Sequence, residues 1–282
     1  MMKLKWKGIV AALLMFFGIT QAFAETEWQR IKRPVPGEPL PIGSYSNGCI
    51  IGARALPLQG EGYQVIRSQK LRYFGHPDML NYLARLGKKV KVAGLPTMLV
   101  GDIAMPAGGR FATGHASHQM GLDADIWLKM GAMSAKQALN PTAILMVNRK
   151  LQRVDDRVWT NNQTKLIQLA ANDPQVARIF VNPAIKLKLC QTVTGDRSWL
   201  RKIRPWFGHD AHFHVRLHCP QGAQYCEEQA AIPAGDGCGA ELMSWFEPKQ
   251  STTPAPEKQP PVMPILCQQL LDSPDKQQWF AG

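Results

Sequence analysis

The sequence predicts an α+β fold, a single domain around a mainly antiparallel central sheet with flanking helices and long loops. Helix and strand patterns mix along the chain without the regular βαβ rhythm of a parallel sheet. The 282 residues are 45% hydrophobic and 19% charged, a globular composition that excludes a disordered or collagen-like chain. The chain has no internal repeats, and its length is enough to bury a substantial core.

The elements of the first half are predicted from hydrophobic spacing and turn residues. Residues 25–48 are rich in proline and glycine and are expected to be irregular. Alternating β-formers predict a strand at 63–66. An early proline and apolar residues on one face predict a helix at 77–86. The apolar run 97–104 predicts a buried strand, and a glycine-bearing loop follows at 106–109.

The second half continues the mixture of helices and strands. Alternation of apolar and polar residues predicts strands at 122–128 and 212–217, and a third, shorter strand is expected at 176–181. Helical spacing predicts a helix at 164–171, and another at 183–190 begins with a proline.

The two ends of the chain differ from the middle. Residues 1–24 combine a positive start, an apolar stretch too short to cross a bilayer and the small-residue ending Ala22-Phe23-Ala24, which predicts a signal peptide. No second long apolar run follows, so the mature protein is expected to have no integral membrane segment. Residues 25–247 are predicted to form the one folded domain. Residues 248–282 are predicted to be a Pro-rich linker and a tail tethered by Cys267.

Cysteine and charge restrict the compartment and the partners. Six cysteines follow the predicted leader, and in an oxidising compartment an even number favours disulfides over a zinc cluster. They allow fifteen pairings; Cys219 and Cys226 could close a small loop, and Cys49 and Cys267 could join the two ends.

Removing the leader's three lysines from the formal charge of +12 leaves +9. The basic residues are scattered and no nucleic-acid motif occurs, so no nucleic-acid partner is expected. An acidic polymer or surface outside the cytoplasm is the more plausible anionic partner, and simple solvation of the surface is the alternative.

Histidines and aspartates are concentrated in two distant stretches. In the first, His115 and His118 precede Asp123 and Asp125, which are two residues apart. A catalytic zinc commonly takes three histidine or carboxylate ligands and a water. Asp123 is expected to orient a ligand or form a turn rather than bind the metal.

The second stretch contains His209, His212 and His214. Residues two apart on a strand point to the same face, so His212 and His214 are well placed to hold one cation. Asp210 is expected at the surface. The two tryptophans that precede these histidines, Trp199 and Trp206, are expected in the core.

Other catalytic signatures fail. The chain has no His-Glu-x-x-His, Gly-x-Ser-x-Gly or Walker motif. One Ser-x-x-Lys begins at Ser273, but it lies in the tail and lacks the motifs that accompany it in serine acyl-enzymes. A serine acyl-enzyme is therefore not expected.

The combination of Ser117-His118-x-x-Gly121-x-Asp123-x-Asp125 with His212-x-His214 resembles the LAS metallopeptidases, which include D-alanyl-D-alanine dipeptidases and carboxypeptidases. Six further segments are similar to the penicillin-insensitive murein endopeptidases within that group: 73–77, 105–111, 181–186, 204–207, 235–242 and 244–248.

This resemblance implies a periplasmic zinc peptidase that cuts peptidoglycan cross-links at the D-alanyl–meso-diaminopimelyl amide. It implies one zinc ion per chain, held by His118, Asp125 and His214, with His115 as an additional ligand. His212 is similar to the general base, with His209 beside it. The resemblance also suggests the disulfides Cys49–Cys267, Cys190–Cys238 and Cys219–Cys226.

The expected chemistry is attack by metal-activated water, without an acyl-enzyme, so β-lactams should not inhibit. Two alternatives stay open. An exported wall-binding or zinc-carrying protein would use the same residues without catalysis. A metal-dependent phosphoesterase would also need activated water, normally with two metals.

Overall fold

The computed structural model describes residues 25–248, 259 and 261–280. The predicted signal peptide and most of the predicted linker lie outside these residues. Within the described chain, no helix is long and apolar enough to cross a membrane.

The helices in chain order are α1 (Glu27–Arg30), α2 (Pro77–Val92), α3 (Ala135–Leu139), α4 (Asn161–Ala171), α5 (Pro183–Thr192), α6 (Ala240–Met243), α7 (Ile265–Asp272) and α8 (Gln277–Phe280). Short 3₁₀ turns occur at Ser68–Lys70, Ser198–Lys202, Ser244–Phe246 and Pro274–Lys276. The strands are β1 (Leu40–Ser44), β2 (Asn47–Ile51), β3 (Arg54–Ala55), β4 (Gln59–Gly60), β5 (Tyr63–Val65), β6 (Phe74–Gly75), β7 (Met98–Val100), β8 (Asp123–Trp127), β9 (Val147–Asn148), β10 (Arg153–Val154), β11 (Val176–Val181), β12 (Ile203–Pro205) and β13 (His212–Leu217).

A seven-stranded sheet in the order β12-β11-β13-β8-β7-β5-β4 forms the centre of the fold. The pairs β12–β11 and β7–β5 run parallel, and the other neighbours run antiparallel. The predicted class, a single α+β domain around a mainly antiparallel sheet, is therefore confirmed.

The two faces of this sheet differ because successive side chains of a strand point to opposite sides. Ala124 and Ile126 of β8 and Phe213 and Val215 of β13 pack in the main core, which also contains apolar residues of α2, α4 and α5. The intervening side chains lie on the other face: Asp123, Asp125, His212, His214 and Arg216.

Two core helices begin as their sequences predict. Pro77 and Pro183 occupy the first turns of α2 and α5, where a missing N–H costs nothing. His76 caps α2 by accepting from the Asp78 amide, and Asn182 caps α5 by accepting from the Ala184 amide.

Most predicted elements are present. The strands at 176–181 and 212–217 have the predicted bounds, and those at 63–66 and 122–128 each shorten to β5 and β8. The helices extend beyond the predicted spans. The strand predicted at 97–104 is shorter in the structure and consists of β7 alone. After β7, the Gly101 amide donates to the Asp125 carbonyl oxygen and the Asp125 amide donates to the Asp102 carbonyl oxygen. The chain then turns, and Ala104 exchanges backbone hydrogen bonds with Phe74.

The expectation that residues 25–48 are irregular is wrong. β1 and β2 form an antiparallel hairpin in which Gly43 faces Gly48. At Gly43, with φ of 79°, a Cβ atom would lie 2.3 Å from the Asn47 carbonyl oxygen, so glycine permits the close pairing. Gly43, which suggested a loop, is therefore required for the close pairing of β1 with β2.

The expectation for the two tryptophans is half right. Trp199 is buried in the main core, whereas Trp206 is half exposed and contacts Phe207 and Trp245. The aromatic residues around Trp206 therefore form a surface cluster rather than core.

The tail packs against the beginning of the described chain. Leu270, Leu271 and Trp279 share a small apolar cluster with Trp28 and Ile31. Three disulfides are present: Cys49–Cys267, Cys190–Cys238 and Cys219–Cys226. They confirm the pairing that the family resemblance implies, and Cys49–Cys267 tethers the tail to β2.

We expect the Cys49→Ser/Cys267→Ser double variant to be less stable than a Cys219→Ser/Cys226→Ser double variant. The first bond spans 218 residues and the second spans 7, so the first restricts the unfolded chain more. The loop-entropy relation predicts a difference of about 2–3 kcal/mol in the free energy of unfolding. Denaturant unfolding of both variants measures it, and an equal loss would contradict the expectation.

Candidate metal centre

Two neighbouring strands carry much of the site. β13 pairs antiparallel with β8, and the register sets His214 opposite Asp125 and Arg216 opposite Asp123. His212 and His214 both approach Asp125, so they share the face of the sheet opposite the main core.

The histidines of the first stretch reach this face on the loop between β7 and β8. Gly108, with φ of 68°, lies so close to the Gln119 carbonyl oxygen that a Cβ atom would be 1.9 Å from it. The Gly109 amide donates to the same oxygen at 2.9 Å. This contact closes the loop, which carries His115 and His118 to the edge of β8.

Four side chains converge on one point. His115, His118, Asp125 and His214 each offer a donor atom, and these atoms lie within 4.8 Å of one another. His115 Nε2 is 3.3 Å from Asp125 Oδ2. His118 Nε2 and His214 Nδ1 are 3.3 Å and 3.4 Å from Asp125 Oδ1. We call these four residues the metal cluster.

The nearest oxygen atoms indicate which nitrogens face the cluster. His118 Nδ1 is 2.7 Å from the Ile103 carbonyl oxygen, which can only accept, so Nδ1 carries a hydrogen and Nε2 faces the cluster, where it can bind a metal once it has lost its own proton. His214 Nε2 is 3.0 Å from the Asp123 carboxylate, so Nδ1 is the nitrogen that can bind a metal.

The cluster is suited to a cation. His118 Nε2 and Asp125 Oδ1 are buried and have no hydrogen-bond partner in the described chain. Leaving such atoms unsatisfied is costly, and a metal ion between them would satisfy both. Imidazole and carboxylate donors together suit divalent transition metals. These residues thus form a possible metal-binding site.

Charge in the cluster is centred on one carboxylate. Burial raises the pKa of Asp125, but His212, His118 and His115 outweigh burial and hold the pKa well below its usual value. Burial lowers the pKa of His118, but the carboxylates of Asp125, Asp123 and Asp102 together outweigh burial and raise the value to about 9. Burial lowers the pKa of His115 to about 4 despite the Asp125 carboxylate. Asp125 is therefore an anion, as a metal ligand must be.

Asp123 lies behind the cluster and supports it. Its carboxylate accepts from Arg216 at 2.8 and 3.1 Å and from the His118 amide at 3.0 Å. Burial raises the pKa of Asp123, but Arg216 and His214 together lower it by more than burial raises it, so the carboxyl group is ionised. Asp123 thus fixes the backbone of one potential ligand and the ring of another.

Asp102 and Arg216 also belong to the site, although the sequence motifs did not predict them. Asp102 is buried, accepts from Arg67 and Arg72 at 2.9 and 3.0 Å, and lies 3.7 Å from His115 Nε2. An aspartate after a buried apolar strand was a signal for Asp102. Alternation on β13 places Arg216 on the face of His212 and His214.

Two further histidines lie beside the cluster. His212 Nε2 is 3.7 Å from Asp125 Oδ1, and the rings of His212 and His209 are 5.1 Å apart. His209 Nδ1 is 2.6 Å from the Phe207 carbonyl oxygen, so Nε2 has the free lone pair. Burial, then His214 and His212, lowers the pKa of His209 to about 3.

Backbone conformation marks two of these histidines. His118 and His209 have φ of 69° and 51°, a left-handed region that L-residues other than glycine rarely adopt. Such backbone persists only where the surroundings enforce it, and it is concentrated at functional sites.

The expectation that Asp210 lies at the surface is wrong. Asp210 is buried, its carboxylate accepts from Arg149 Nε at 2.6 Å, and its carbonyl oxygen accepts from the Met146 amide at 2.7 Å. It therefore fastens the segment before β10 to the histidine stretch.

This arrangement can bind one cation through four donors and can accept or donate protons beside it through two imidazoles. Those are the two requirements of hydrolysis by activated water.

Comparison with known proteins agrees with this chemistry. The sequence model of the family described as penicillin-insensitive murein endopeptidase matches residues 41–272. A protein of that name from Haemophilus influenzae is 63% identical over 270 residues, which cover 94% of each chain. Others of that name, from Pectobacterium atrosepticum and Klebsiella pneumoniae, are 53% and 52% identical and cover 97% and 98% of their own lengths. The chain belongs to the family of penicillin-insensitive murein endopeptidases.

Proposed function

We propose that the protein is a zinc-dependent murein endopeptidase that hydrolyses D-alanyl–meso-diaminopimelyl amides in peptidoglycan cross-links. The observation that carries this proposal is the buried cluster of three imidazoles and one carboxylate in a chain of this family.

His118, Asp125 and His214 are the proposed zinc ligands, and His115 is an additional one. The donor set favours zinc, and one ion per chain is expected. When bound, zinc would polarise the amide carbonyl and lower the pKa of a water molecule toward about 7.

His212 is the proposed general base, because its Nε2 atom is within 3.7 Å of Asp125 Oδ1 at the edge of the cluster. It takes a proton from the attacking water at Nε2. The proton that His212 takes up then goes to the departing amine: His212 donates it directly, or His209, whose ring is fixed by the Phe207 carbonyl, accepts it on Nε2 and passes it on. The oxygen that attacks is water, so no serine is acylated and β-lactams have no nucleophile to trap.

The proposed location is the periplasm. Three disulfides require an oxidising compartment, and peptidoglycan lies outside the cytoplasm. We accordingly propose that residues 1–24 are a signal peptide, 25–247 the zinc peptidase domain and 248–282 a linker and tail.

The test uses a defined cross-linked muropeptide dimer and mass spectrometry of the products. Chelator-treated protein should leave the dimer intact, zinc should restore conversion to monomers, and ampicillin should not inhibit. Metal analysis should give one zinc per chain. Activity that survives metal removal would overturn the mechanism, and zinc binding without any cleavage would favour a wall-binding or zinc-carrying protein.

A further inference from the structure

A cleft of about 560 Å³ opens beside the two histidines of the proposed proton transfer. Its lining combines aromatic rings, of which Phe207 is exposed, with polar and charged side chains that include Arg149 and Glu247. The residues used below are Arg149, Asn182, Phe207 and Trp245, and we call this feature the aromatic cleft.

The aromatic cleft adjoins the candidate active site, because two of its lining residues contact His209. The Phe207 carbonyl contacts His209 Nδ1, and the Asn182 amide donates to the His209 carbonyl oxygen at 3.1 Å. Asn182 Nδ2 also donates to the Gly208 carbonyl oxygen at 2.8 Å. A substrate that reaches His209 therefore extends naturally into this cleft.

The aromatic rings give the cleft an apolar wall. Phe207 is 58% exposed, and its ring lies 4.8 Å from that of Trp245. Exposed apolar surface within a concave site is typical of ligand binding rather than of an ordinary monomer surface.

Arg149 brings a positive charge to the same cleft. Its Nε atom donates to the buried Asp210 carboxylate, while its side chain as a whole is 69% exposed. The anchoring bond uses one edge of the guanidinium group. The terminal nitrogens can therefore donate to an anion in the cleft, and Asp210 restrains the group for this role.

We propose that the aromatic cleft binds the residue on the amine side of the scissile bond, with Arg149 pairing with the carboxylate on the carbon that bears the scissile nitrogen. The Phe207–Trp245 wall packs against that residue's hydrocarbon chain. This inference rests on the proposed function, because a diaminopimelyl residue has both features: a carboxylate at that carbon and a chain of methylenes.

The test is calorimetric binding of a tripeptide that ends in meso-diaminopimelate, acetylated on the amine that the cross-link would acylate. A second ligand differs only by amidation of the carboxyl group next to that amine. The wild-type protein should bind the free acid on the order of 10- to 100-fold more tightly, the effect of one hydrogen-bonded charge pair. Arg149→Gln should lose this difference and leave binding of the amide unchanged.

Two controls separate ligand binding from structural support. Arg153→Gln removes an exposed arginine of β10 outside the cleft and should bind like wild type. Asp210→Asn loosens the anchor of Arg149 but keeps its charge, so it should retain a preference for the free acid.

Equal wild-type affinity for the two ligands would overturn the inference, as would an Arg149→Gln variant that weakens both equally. Cleavage of the dimer, measured in parallel, tests the proposed function separately. Discrimination without cleavage would support the cleft and refute the endopeptidase. Cleavage of the dimer without discrimination between the two ligands would support the endopeptidase and refute the role of the cleft.

Discussion

Replacement of His118 by alanine is expected to abolish zinc binding and to lower the rate of muropeptide cleavage by about 10³-fold or more. His118 is completely buried, and its Nε2 atom faces Asp125 with no other partner in the described chain. Loss of this ligand removes several kcal/mol of transition-state stabilisation, and each 1.36 kcal/mol is about tenfold in rate. Metal analysis of the purified variant and turnover of the dimer measure the two effects.

His76→Ala is a matched control for a buried histidine outside the cluster. It removes the N-cap of α2, which should reduce the free energy of unfolding by about 1 kcal/mol. Its zinc content and its activity should stay at the wild-type level. Full zinc occupancy and cleavage in a folded His118→Ala protein would refute the assignment of this ligand.

Alternation of polar and apolar residues predicts the strands of the site, but it does not predict which strand pairs with which. β13 has the predicted bounds because polar and apolar residues alternate there, and alternation is what a sheet with one core face requires. The pairing of His214 with Asp125 depends on the register between β13 and β8. Those residues are far apart in sequence, so periodicity cannot set the register; the zinc-ligand types of the two stretches and the family motif are what linked them.

The hidden parts of the site come from long-range polar contacts. Asp210 was expected at the surface, yet its ion pair with Arg149 joins two distant segments beside His209. Asp102 is similar, because its two arginine partners lie 30 and 35 residues earlier. No local signal identifies such partners; they follow from the requirement that buried charges be paired.

His212→Gln is expected to lower kcat by about 10²- to 10⁴-fold, the usual contribution of a general base. Glutamine can still form hydrogen bonds, but its amide does not take up a proton at neutral pH. The side chain of His212 is partly exposed and lies outside the four-residue cluster. Zinc content should therefore be unchanged, and the stability should stay within about 1 kcal/mol of wild type.

His209→Gln separates the two histidines. His209 is the proposed relay that passes the proton from His212 to the departing amine, and direct donation by His212 or transfer through water can partly replace a relay. We therefore expect a smaller loss of kcat than for His212→Gln, with zinc content again unchanged. If His209→Gln had the larger effect, His209 would be the base. The ring of His209 could accept the proton of the water in that case, because Nδ1 donates to the Phe207 carbonyl and Nε2 has a lone pair. Loss of zinc from His212→Gln would instead make His212 a ligand, and the base would have to be sought elsewhere.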